Sequence, residues 1–335
     1  MLYPKSLGQN HGPVYREILK HALRTAWHDR RYWILSFFAA FLFTAGVYDY
    51  VLNTLTRMAR YQSFSWPTAS GFFSGFWGDA NSVTNIFATL QTVALGAVLI
   101  LAILGFSCIA QGALVYVLGA KKFKHTPDLR TALYIGTQTF WPVAALSILA
   151  NGLFLLMGAA FFAVAFWSNS LPAFFYPALV VLGLIETVLA FGIGIIQVFA
   201  VNAVVLQGAK LADALSRAYR IMKRNWLTTF ETAALLLVLA LALELIFMWF
   251  AFFVSFLFKI VAYTAWNLNS ESLYLGAVLV WLVILGAARF AVTAFKTQLQ
   301  FATWTFLYRR LGEGGVLPKL HRVLRAAFGA YRSKV

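Results

Sequence analysis

The placement of the lysines and arginines relative to the apolar segments constrains this chain more than any other feature of its sequence. Most of the 27 cations lie before the first apolar segment, between the second and third, between the fourth and fifth, or after the sixth. The alternate connections carry almost none of them. The six apolar segments are residues 32–52, 86–118, 140–167, 173–206, 227–262 and 273–307.

The length of these segments predicts transmembrane helices. About 20 apolar residues in a helix cross a hydrocarbon core of about 30 Å, and a helix satisfies its own backbone in lipid. With 61% hydrophobic and 11% charged residues, the chain also has too little polar surface for a water-soluble globule. We therefore predict an all-α, polytopic membrane bundle of six transmembrane helices.

The distribution of cations predicts the orientation of the bundle. Lysine and arginine accumulate in cytoplasmic connections, so we expect both termini in the cytoplasm and the bundle in a bacterial-type inner membrane. The predicted divisions are a cytoplasmic amphipathic segment at 1–31, a six-span membrane domain at 32–311 and a basic amphipathic cytoplasmic tail at 312–335.

A similar short segment precedes each odd-numbered span. Residues 22–33, 132–141 and 214–226 each pair an Ala-Leu dipeptide with a tryptophan about three turns later. In the third segment, apolar residues recur at helical spacing while the arginines face elsewhere. The sequence therefore predicts a threefold repeat of one amphipathic helix followed by two spans.

The net charge of +16 predicts an anionic partner. The cations flank apolar spans and do not form a basic stripe with stacking aromatics, so we expect anionic inner-leaflet lipids and no nucleic acid. The alternative interpretation is that the flanking helices only anchor the bundle at the interface. The cations predicted to face lipid are Arg24, Arg217, Arg220, Arg224, Lys319, Arg322 and Arg325.

The segment ALSRAYRIMKRNW, the later TFLYRRLGEGG and the helix-plus-hairpin repeats resemble a known membrane domain. It is the six-span domain fused to some bacterial glycerophosphodiester phosphodiesterases, together with its stand-alone relatives. The resemblance extends from about Arg16 to Gly315. In that family the hydrolase is a separate soluble barrel, so the resemblance implies a fold and a membrane location and carries over no catalytic residue.

Ionisable residues inside the spans are the candidates for function, because they are costly in hydrocarbon unless paired or hydrated. Glu244 and Arg289 reach similar depth in an antiparallel hairpin, so we predict a salt bridge between them, with Glu186 able to join. Arg289, Thr293, Lys296 and Gln300 fall on one helical face, which we expect to turn inward. These groups either fix the packing of the hairpin or line a polar cavity for an ion, an anion or a lipid head group.

Motifs for catalysis are missing from the sequence. It contains no Walker A, HExxH or GxSxG pattern, and Cys108 is its only cysteine. We expect no enzyme activity, no metal and no cofactor. The predicted function is that of a non-enzymatic multi-pass membrane protein with lipid-facing basic helices, in membrane organisation or in assembly with a protein partner or a second copy. The alternative is a permease or transporter of lipid or small solutes with a polar intramembrane cavity.

Overall fold

The fold is a bundle of helices, and a computed structural model describes residues 14–41, 83–120, 127–168 and 175–312 of it. Within those ranges the secondary structure is helical and contains no strand. The helices are α1 (Val14–His28), α2 (Trp33–Ala39), α3 (Val83–Ala120), α4 (Leu129–Gln138), α5 (Phe140–Ser168), α6 (Phe175–Gln207), α7 (Leu211–Arg224), α8 (Trp226–Asn267) and α9 (Glu271–Gly312).

Five of these helices, α3, α5, α6, α8 and α9, are long and apolar enough to cross a membrane. Their bounds lie within a few residues of the second to sixth predicted spans. The first predicted span is described only as far as Phe41, and its remainder lies outside the described residues. The five helices indicate a membrane protein, and six spans remain a prediction.

The tryptophan of each short flanking segment marks a break between two helices. Trp33 follows a 3-10 turn at Arg30–Tyr32 and begins α2, while Trp226 follows Asn225 and begins α8. Trp141 is the second residue of α5, after a break at Thr139. Each short helix therefore ends a few residues before a tryptophan that is the first or second residue of the next helix.

Local sequence explains where several helices start and stop. The Asp128 side chain accepts a hydrogen bond from the backbone N–H of Leu129 and so caps the N-terminus of α4. Gly208 adopts a φ of +63°, the left-handed conformation that commonly ends a helix, directly after α6. Asn269 has a φ of +52° in the turn between α8 and α9, which asparagine tolerates better than most residues.

Similar helix contacts occur three times in the bundle. The helix pairs α2–α3, α5–α6 and α8–α9 pack side by side, and α3, α6 and α9 also contact one another. Each short helix packs on a different member of this trio: α4 on α3, α7 on α6, and α1 on α9. The last of these contacts joins the start of the described chain to its final helix.

Burial is concentrated where α3, α6 and α9 approach their C-terminal ends. We call residues 107–120, 195–207 and 294–312 the converging end; most of their side chains are buried. Phe199 packs edge-on against Trp304 and lies beside Tyr308, and Arg309 Nη1 donates a hydrogen bond to the Gly119 carbonyl oxygen. The ends of these three helices therefore contact one another directly.

Small residues allow the close approach of α4 to α3. A Cβ atom added at Gly136 would collide with the Ile109 carbonyl oxygen, and one at Gly112 would lie 3.3 Å from the Gly136 Cα atom. The two helices touch through their backbones at this point, which only glycine permits.

Candidate functional site

An ion-pair cluster links α8 and α9 inside their apolar segments. Arg289 Nη1 lies 2.6 Å from Glu244 Oε2, and Lys296 Nζ lies 2.8 Å from Glu244 Oε1. Each carboxylate oxygen therefore binds a different cation. The predicted salt bridge between Glu244 and Arg289 is confirmed, and Lys296 is a further partner that the depth comparison did not identify.

The three members of this cluster differ strongly in exposure. The Lys296 side chain is 5% exposed, that of Glu244 25% and that of Arg289 49%. The guanidinium carbon of Arg289 lies 5.2 Å from the centre of the Phe247 ring, within the range of a cation–π contact. The cluster thus runs from the buried interior to the apolar surface of the hairpin.

The predicted polar face of α9 turns inward along only part of its length. Lys296 and Gln300 are buried and Thr293 is partly buried, as expected, but Arg289 is exposed. The expectation was wrong for Arg289 because this residue lies outside the converging end, where it contacts Glu244 and Phe247 of α8 and half of its side chain stays exposed. A periodic pattern identifies a face but does not show how far the neighbouring helices extend along it.

Glu186, the fourth candidate, is buried on α6. Neither of the two ion pairs of Glu244 involves it. The α6 and α8 helices contact each other through Phe191 and Phe230, which lie toward the converging end from Glu186 and Glu244, respectively. The proposed participation of Glu186 in the cluster therefore stays a prediction.

The described cations predicted to face lipid lie on the short helices. Arg217, Arg220 and Arg224 are exposed on α7, while Ala214 and Ala218 of the same helix are fully buried. Arg217 Nη1 donates a hydrogen bond of 2.8 Å to Gln207 Oε1 at the end of α6. This helix therefore has one face against the bundle and an exposed cationic face, from which Arg217 also contacts the end of α6.

Arg24 occupies a comparable place on α1. It is exposed, while Ala22 and Ala26 are buried, and His21 packs its ring 4.9 Å from that of Phe306 on α9. The remaining three predicted cations, Lys319, Arg322 and Arg325, lie outside the described residues.

Buried amide side chains form a group that the search for ionisable residues missed. Gln111 donates to the Ala39 carbonyl oxygen, Gln197 approaches Ser147 at 3.5 Å, and Gln298 donates to the Asp29 carbonyl oxygen. Each glutamine reaches from α3, α6 or α9 toward a neighbouring element. The signal for these residues was available, since an uncharged amide within an apolar helix is costly unless it finds a partner.

Comparison with protein-family models, curated proteins and solved structures finds no match to this chain. The resemblance to the membrane domain of the glycerophosphodiester phosphodiesterases therefore stays a prediction.

Proposed function

We propose that this chain is a non-enzymatic, multi-pass protein of a bacterial-type inner membrane whose basic helices bind anionic lipid head groups. In this role it supports membrane organisation or the assembly of a partner protein. The observation that carries the proposal is α7, which has a buried face of small residues and an exposed face with four cations. Those cations are Arg217, Arg220, Lys223 and Arg224.

The surroundings of α7 support a position at a membrane interface. Trp226 and Tyr219 are both exposed next to the cationic face, and such aromatic side chains favour the boundary between lipid and water. Long cationic side chains extend from that boundary to head groups while their aliphatic stems stay in the apolar layer. Each cation near an anionic surface contributes about 1 kcal/mol of binding.

We also propose that the chain has six spans in three related units, with both termini in the cytoplasm. The packing of α4 on α3, α7 on α6 and α1 on α9 supports this arrangement, because it repeats one contact three times. The same arrangement places the three short helices around one end of the bundle. The resemblance to the phosphodiesterase membrane domain agrees with it but is not required for it.

Energy transfer in lipid nanodiscs tests the lipid-binding role. The full chain is placed in phosphatidylcholine nanodiscs that contain a small fraction of pyrene-labelled phosphatidylglycerol or pyrene-labelled phosphatidylcholine. We expect stronger transfer from the protein's tryptophans to the anionic probe. Raising the salt concentration should reduce that preference, because it screens charges at the surface.

A triple variant identifies the cations responsible. Arg217→Gln, Arg220→Gln and Arg224→Gln together should remove most of the preference for the anionic probe. Arg130→Gln, which removes an exposed cation from α4, is the control and should leave most of it. Equal transfer to both probes in the unaltered protein, or an unchanged preference in the triple variant, would refute the proposal.

A permease is the second candidate, and the cluster of Glu244, Arg289 and Lys296 is the observation that favours it. Cysteine labelling separates the two roles once Cys108 has been replaced by alanine. In a permease, Glu186→Cys and Thr293→Cys, one turn from Arg289, should react with a water-soluble maleimide through an aqueous chamber. Protection of both positions would favour the packing role of the cluster.

A further inference from the structure

Arg289 has most of its hydrogen-bonding capacity left after its contact with Glu244. A guanidinium group carries five N–H donors and keeps its charge at every physiological pH. In the described part of the chain, Glu244 is the one hydrogen-bond acceptor of Arg289, and it is reached through Nη1. Half of the Arg289 side chain remains exposed, so a ligand outside the hairpin can approach this residue.

The surface around Arg289 is apolar. Leu245, Met248 and Leu282 are each more than half exposed on the two helices of the hairpin. Arg289 is also far from both ends of α9, at 18 residues from Glu271 and 23 from Gly312, or about 27 Å and 35 Å along the helix. An accessible cation at this position is costly in hydrocarbon unless an anion accompanies it.

The carboxylate of Glu244 engages Arg289 through the Nη1 atom. Its Oε1 atom is engaged by Lys296 and its Oε2 atom by Arg289, so it is shared between two cations. The contact with Phe247 covers one face of the guanidinium group and holds it in place. Arg289 is therefore held by one acceptor and one aromatic ring, and half of its side chain is exposed.

We propose that Arg289 binds a phosphate group at the surface of the α8–α9 hairpin, through N–H groups that Glu244 does not use. Guanidinium groups match phosphate oxygens in a forked geometry that an ammonium group does not reproduce. The phosphate belongs either to a phospholipid or to a free phosphate species. The site is separate from the lipid-facing cations of α7 and does not depend on their role.

Calorimetry on the full chain in an uncharged detergent tests the proposal with three probes. These are dioctanoyl phosphatidic acid, dioctanoylglycerol, which lacks the phosphate, and inorganic phosphate. We expect phosphatidic acid to bind and dioctanoylglycerol not to bind. Binding of inorganic phosphate with the same dependence on Arg289 would identify a free phosphate as the ligand, whereas its failure to bind would identify the phospholipid.

Three variants connect the binding to Arg289. Arg289→Gln should weaken phosphatidic acid binding by roughly tenfold or more, as expected for a lost charged hydrogen bond. Lys259→Gln removes an exposed cation from the same hairpin and should bind like the unaltered protein. Arg289→Lys keeps the charge and the pairing with Glu244, so it should keep the melting temperature while still losing most of the affinity.

Three results would overturn the proposal: no binding of any phosphate probe, equal binding by Arg289→Gln and Lys259→Gln, or full affinity in Arg289→Lys. The lysine variant keeps the test decisive if the glutamine variant does not fold. Failure of this binding leaves the nanodisc result for α7 unaffected, because the two experiments alter different residues on different helices.

Discussion

The two halves of α9 have almost opposite surroundings although they belong to one uninterrupted helix. From Ala294 to Leu311, at the converging end, most side chains are buried, including polar ones. From Leu273 to Ile284 the large apolar side chains are mostly exposed. Residues 245–289, which we call the distal hairpin, therefore present apolar groups outward, whereas the converging end encloses polar groups.

This contrast shows that apolar side chains can be exposed and polar side chains buried in a protein whose surface contacts lipid. Exposed apolar surface is stable against hydrocarbon, so the distal hairpin does not need a covering helix. The converging end obtains its burial from the short helices α1, α4 and α7 and from the contacts among α3, α6 and α9. We conclude that helix packing stabilises the converging end, while the surrounding lipid stabilises much of the distal hairpin.

The largest expected effect comes from a pair of phenylalanine deletions that test this difference. Phe199 is fully buried at the converging end, whereas Phe252 is 67% exposed on α8. Phe199→Ala should reduce the free energy of unfolding by about 3–5 kcal/mol because it leaves a cavity beside Trp304 and Tyr308. Thermal unfolding in detergent measures the change.

Phe252→Ala is the matched control for this deletion. Its melting temperature should stay close to that of the unaltered protein, because the ring contacts the solvating layer and not a packed interior. Equal destabilisation by the two variants would show that the distal hairpin is covered by protein and would remove the contrast between the halves.

A second prediction concerns Glu244, which lies at the boundary between the two regions. Glu244→Gln removes the charge that binds buried Lys296 and exposed Arg289. We expect the free energy of unfolding to fall by about 1–3 kcal/mol, as for a charged hydrogen-bond partner in a partly buried site. The melting temperature in detergent measures it. Glu271 is an exposed residue at the start of α9, so Glu271→Gln is the control and should have little effect on the melting temperature. Equal melting temperatures for the two variants would contradict a role for the cluster in packing.

The positions of the five described long helices were predictable because each coincides with a long apolar run, and a helix satisfies its own backbone in lipid. The pairing of Glu244 with Arg289 was predictable for a related reason. In an antiparallel hairpin, residues at equal distances from the same interface lie at the same depth. Both predictions needed only the positions of apolar and ionisable residues along the chain.

The surroundings of each helix were much harder to predict. The spacing of Lys296 and Gln300 indicated an inward face on α9, but Thr297 and Gln298 on its other sides are buried as well. They are enclosed because α1, α2, α3 and α6 all pack against α9. Contacts between elements so distant in the chain leave no periodic signal in one sequence, which is why the partners of the buried glutamines were also missed.

The smallest expected effect lies within the distal hairpin and tests whether its two helices hold each other. Trp281 Nε1 donates a hydrogen bond of 3.2 Å to Ser255 Oγ, and Phe258 stacks on Trp281 with 5.2 Å between ring centres. Ser255→Ala should lower the free energy of unfolding of the hairpin by about 0.5–1.5 kcal/mol because it removes the hydrogen-bond acceptor between the two helices. Thr264→Ala removes a hydroxyl that donates only within α8, to the Ile260 carbonyl oxygen, and should lower the free energy of unfolding by less.

Hydrogen exchange of the hairpin amides in nanodiscs measures this difference locally. Faster exchange in Ser255→Ala than in Thr264→Ala would show that contacts between α8 and α9 contribute to the stability of the hairpin. Identical exchange would mean that lipid alone maintains the structure of the hairpin. The two halves of α9 would then differ in what stabilises them even more than the side-chain contacts imply.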